Sequence, residues 1–113
     1  MSEELTKSIA YQIGKGLETA GAVVATGQLG EEPDQWTLAL SAKFDPLPEL
    51  SKVAEMIKKV LDSRTSSSPK PVEPGVFEFL IQPAHHGKVS FAKIQGEISV
   101  IVAIQKPTPS AGE

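Results

Sequence analysis

The chain has 113 residues, 40% of them hydrophobic and 22% charged, which is enough for one globular domain with its own core. It contains no cysteine, so disulfides, thiolate metal sites and a cysteine nucleophile are excluded. No apolar run approaches the roughly 18–20 residues needed to cross a bilayer, the acidic start from Met1 to Leu5 is unlike a secretory signal, and the expectation is a cytoplasmic protein.

In the first segment Leu5, Ile9, Ile13 and Leu17 recur every fourth residue, an apolar stripe at helical spacing. Ser2 followed by Glu3 and Glu4 suits a helix start. The spacing predicts a helix over 3–19, weakened by Gly14 and Gly16 and ended at Gly21. Residues 22–30 read as a short strand and turn, and 31–35 as an acidic loop around Pro33. Trp36, Leu38, Leu40, Ala42 and Phe44 then alternate with Thr37, Ala39, Ser41 and Lys43. Period two with one apolar face predicts a strand over 36–44.

Asp45 as N-cap and Pro46 at the first helical position suggest a second helix over 46–63. Its apolar face holds Leu47, Leu50, Val53, Ala54, Ile57, Val60 and Leu61. Residues 64–74, with three serines and three prolines, read as a flexible connector. Phe77, Phe79 and Ile81 share a face of a strand over 76–82. Residues 84–87, Ala-His-His-Gly, read as a turn, and 88–94 as a strand with Val89 and Phe91 inward. Gln95-Gly96 is a hairpin turn. The last strand, 97–105, has Ile98, Val100, Val102 and Ile104 on one face, and Ile101 and Ala103 on the other. A polar tail follows from 107 to 113. The assembled expectation is a single α+β domain over 1–113. An antiparallel sheet of about four strands packs against the two helices in two or three layers.

The chemistry-bearing motifs are few. No GxxxxGK[ST] loop, dinucleotide fingerprint or GxSxG elbow is present. Ser66, Ser67 and Ser68 lie in the connector, where a nucleophile would be poorly preorganised. Glu31, Glu32 and Asp34 are more simply a solvated loop than paired catalytic carboxylates. Lys58, Lys59 and Arg64 cluster near a helix C-terminus, where they complement the helix dipole. Net charge is −3, Arg64 is the sole arginine and aromatics are 5%; a nucleic-acid partner would call for a basic, aromatic-lined face. His85, His86 and Lys88 with Gly87 form the one feature able to contact a metal or an anion, although zinc would need further ligands from other elements. No cofactor, no catalytic residue and no enzymatic activity are expected.

The stretch from Phe44 to Lys106 resembles the trypsin-co-occurring domains of bacterial multi-domain proteins. Phe44-Asp45 with the helix from Leu47 to Leu61, Val76-Phe77-Glu78-Phe79, Gly87-Lys88-Val89 and the strand from Ile98 to Ile104 carry the likeness. The pattern departs at Leu80, where that family commonly has glycine, and at Gln105, where it often ends in tryptophan. The resemblance implies a non-catalytic accessory module working beside effector enzymes.

The last strand points the same way. A strand apolar on both faces must be covered on both. Either helix 3–19 covers the second face, or a protein partner or second copy does. The candidate interaction residues are Val100, Ile101, Val102 and Ala103.

Overall fold

The computed structural model of the chain describes residues 2–65, 69–81 and 85–106. Met1, the serines at 66–68, residues 82–84 and 107–113, and the side chains of Ser2 and His85 lie outside the described residues.

Helix α1 (Ser2–Thr19) buries Ile9, Ile13 and Leu17 completely and Leu5 in part, as the four-residue spacing requires. It closes with a Schellman pair. The Ala22 N–H donates to the Leu17 carbonyl at 3.0 Å and the Gly21 N–H to the Glu18 carbonyl at 2.9 Å, satisfying two carbonyls that the helix leaves open. Strands β1 (Val23–Glu31) and β2 (Gln35–Lys43) follow as an antiparallel hairpin.

Helix α2 (Leu50–Asp62) starts four residues later than the predicted 46, and Asp45 does not cap it. Pro48 disfavours a helical conformation for Leu47, so the helix cannot begin until the chain has passed both prolines. Glu49 is the N-cap, without a side-chain hydrogen bond. Val53, Ile57 and Leu61 are its buried residues.

Four strands complete the chain: β3 (Lys70–Glu73), β4 (Val76–Ile81), β5 (His85–Ile94) and β6 (Glu97–Gln105). The sheet has six strands rather than about four, in the order β1-β2-β6-β5-β4-β3 and antiparallel throughout. The first addition is β1. The second, β3, lies in the segment predicted as a connector, where Pro74-Gly75 turns the chain back so that Lys70 pairs with Glu78 and Pro71 with Phe77. Prolines are tolerated there because an edge strand has one side without a ladder. The histidine turn is also corrected. His85, His86 and Gly87 belong to β5 and pair with Ile81, Leu80 and Phe79. Gln95 and Gly96 do form a tight turn, with φ of 52° and 80°, the positive pair that a type I′ hairpin requires.

Both helices lie on one side of the sheet. Leu38, Leu40 and Ala42 of β2, Ile98, Val100, Val102 and Ile104 of β6, Val89 and Phe91 of β5, and Phe77, Phe79 and Ile81 of β4 join the helix residues in one core. The two helices also pack on each other. A Cβ on Gly16 would stand 2.9 Å from Val60 Cγ2, so the glycine that weakens α1 on its own is what lets α2 approach. The Arg64 guanidinium, just past α2, donates to Ser8 Oγ on α1 at 3.0 Å. The result is a two-layer α+β architecture.

Candidate functional site

With both helices on one side, no element among the described residues covers the opposite face of the sheet. The alternation of β6 places Ser99, Ile101, Ala103 and Gln105 there. Register then sets Ile101 opposite Ala39 on β2 and Ser90 on β5, and Ala103 opposite Thr37 and Lys88. All of these positions except Ser99 line a broad groove of about 860 Å³. Small side chains surround Ile101, which is 45% exposed, while Glu32, Glu78 and Lys88 bring charge into the lining.

Two ion pairs lie on this face. Lys88 Nζ lies 3.9 Å from Glu78 Oε2, and Lys43 Nζ lies 3.7 Å from Glu97 Oε2. The strands hold 9, 9, 4, 6, 10 and 9 residues; at about 3.3 Å per residue and about 4.8 Å between strands the face measures roughly 750 Å², near the ~800 Å² that each partner contributes to a standard interface.

The predicted interaction residues therefore divide. Ile101 and Ala103 lie on the open face. Val100 and Val102 do not: both are fully buried beneath the helices, because neighbouring residues of a strand point to opposite faces. Of the two alternatives for the second face, coverage by helix 3–19 does not occur, since α1 shares the buried side with α2.

Of the metal or anion candidates, His86 and Lys88 are exposed and line the open groove. The carboxylate of Glu78 already faces Lys88 and would compete with an incoming anion. Among the described residues no group of three or more His, Asp or Glu side chains is placed to hold a metal ion. Thr37, Ser90 and Gln105 belong to the groove and were missed in the sequence. The off-face positions of the period-two pattern in 36–44 were the signal, and they read there only as solvated residues.

A second groove, of about 570 Å³, lies on the helix side between α2 and the β3–β4 hairpin. Its lining is apolar, with Leu50, Ala54, Val72 and the stacked rings of Phe77 and Phe91, whose centroids are 5.7 Å apart. Among the described residues no helix is long and apolar enough to cross a membrane. No protein-family model, curated protein or solved structure matches the chain.

Proposed function

We propose that this chain is a non-enzymatic, cytoplasmic interaction module that binds a protein partner through the open face of its sheet. The observation that carries this is the position of β6. It is an inner strand whose exposed side holds Ile101 and Ala103 beside Ala39, Ser90 and Thr37. An antiparallel sheet with a solvated face usually alternates to polar or charged residues on it. Here Ile101 and Ala103 are paired with Ala39, Ser90 and Thr37, and Lys88 is their one charged register partner. The resemblance of 44–106 to accessory domains agrees with a role beside other proteins. No catalytic residue, cofactor or nucleic-acid contact is part of the proposal.

The test is site-specific photo-crosslinking in cells, with the probe at Ile101 and, as a control, at Lys59 on α2. A partner captured from position 101, not from 59, and lost when Ala103→Glu is added, supports docking on this face. No capture, or equal capture from both positions, overturns it. A zinc titration followed by the His86 ring resonances tests the competing use of the same groove. Saturable shifts at micromolar metal would favour a metal-binding role instead.

A further inference from the structure

The two edges of the sheet are built differently. At one edge β3 is four residues long, contains Pro71, is followed by Pro74, and is interrupted by a register shift. Short length, proline and irregularity are the devices that keep an edge from pairing with another chain. At the other edge β1 is nine residues long, VVATGQLGE, with no proline or lysine and a single charge at its far end, Glu31, which is held by Lys106 Nζ at 2.6 Å. An irregularity falls between Thr26 and Leu29, leaving Val23 to Thr26 as a regular run. This run is hydrogen-bonded to β2 on one side only.

Exposed apolar groups flank the run above and below. Tyr11 of α1 is 64% exposed on the helix side, and Val23 is 73% exposed on the open side. A cleft of about 150 Å³ between α1 and β1 is lined by Tyr11, Gly14, Lys15, Glu18, Val24 and Thr26. Lys15 Nζ stands 5.6 Å from the Tyr11 ring centroid and 3.8 Å from Glu18 Oε1.

We infer that β1 is a homodimer edge: the Val23–Thr26 run pairs antiparallel with its counterpart in a second copy, joining two sheets into one of twice the width. A second copy is the occupant that the chemistry fits. Two-fold symmetry brings a patch against itself, so a self-pairing edge must be free of like charges, as this run is. Lys15 and Glu18, which lie on the same side of that axis, pair within each copy at 3.8 Å and so present no net charge to it. The Tyr11 side chains meet across the same axis. This contact is independent of the open face, and it would place two open faces side by side.

Light scattering after gel filtration tests it. The native chain is expected at twice the 12.0 kDa of one copy. Ala25→Lys adds a charge to the edge without touching the core and is expected to weaken the dimer at least about tenfold. Tyr11→Ser, which removes the exposed ring at the axis, is expected to weaken it as well. Ile101→Lys should leave it intact. Circular dichroism confirms that each variant is folded. A native chain that stays at single mass up to about 1 mM, or a dimer indifferent to Ala25→Lys, overturns the proposal. A dimer lost only on Ile101→Lys also overturns it and moves self-association to the open face.

Discussion

Phe79 lies across Gly87 on the neighbouring strand, where a Cβ would stand 2.5 Å from the ring carbons Cε2 and Cζ and 2.8 Å from Ile104 Cδ1. The glycine is the space into which the ring packs, so Gly87→Ala must displace a buried aromatic. It is expected to lower unfolding free energy by about 1–3 kcal/mol, read from urea titrations, with partial recovery when Phe79→Leu is added. Isoleucines on β6 provide a sharper contrast. Ile104 is fully buried and Ile101 is half exposed, so Ile104→Ala should cost about 2–5 kcal/mol and Ile101→Ala no more than about 1 kcal/mol. Equal losses would mean that the open face is packed rather than free. At this scale the sequence was legible where period alone decides, as with Ile98 to Ile104. It was not legible at Gly87. Beside two histidines a glycine reads as a turn, and nothing local reveals a ring on the adjacent strand.

Between elements, the α1–α2 contact rests on Gly16 facing Val60 and on Arg64 reaching Ser8. Gly16→Ala gains about 1 kcal/mol of helix propensity but forces a methyl group against a branched side chain with little freedom to move. A net loss is expected in the native background and a net gain when Val60→Ala makes room. That reversal of sign in a double-mutant cycle distinguishes close helix packing from simple helix preference. Arg64→Ala should cost about 1–2 kcal/mol by removing a partly buried, charge-assisted hydrogen bond. The helices themselves were legible because their apolar faces span several turns. The start of α2 was misplaced because Asp45-Pro46 is a good helix opening on its own, and the restriction imposed by Pro48 two residues later outweighs it. Strand β3 was missed because prolines and serines signal a connector. The Pro74-Gly75 pair before Val76 was the available sign of a hairpin.

Across the whole molecule, placing both helices on one face sets everything else: one side of the sheet becomes core and the other becomes surface. The α+β class was readable from the periodicities. The side taken by α1 was not, since an amphipathic helix reports which of its own faces is buried and says nothing about which face of a sheet receives it. The site followed that uncertainty, which is why Val100 and Val102 were grouped with Ile101 and Ala103. The sheet order has one more result. Strand β6 follows every other strand in the chain, yet it sits between β2 and β5 and binds both. Until it emerges from the ribosome the nascent chain holds two separate half-sheets, each with a bare inner margin. A fragment ending at residue 96 should therefore bind hydrophobic dyes and aggregate, and a synthetic peptide of residues 97–106 supplied in trans should slot between the halves and restore a cooperative melt. This strand is a keystone, and the protein is by construction a candidate for splitting at the Gln95-Gly96 turn into two pieces that report their own reunion.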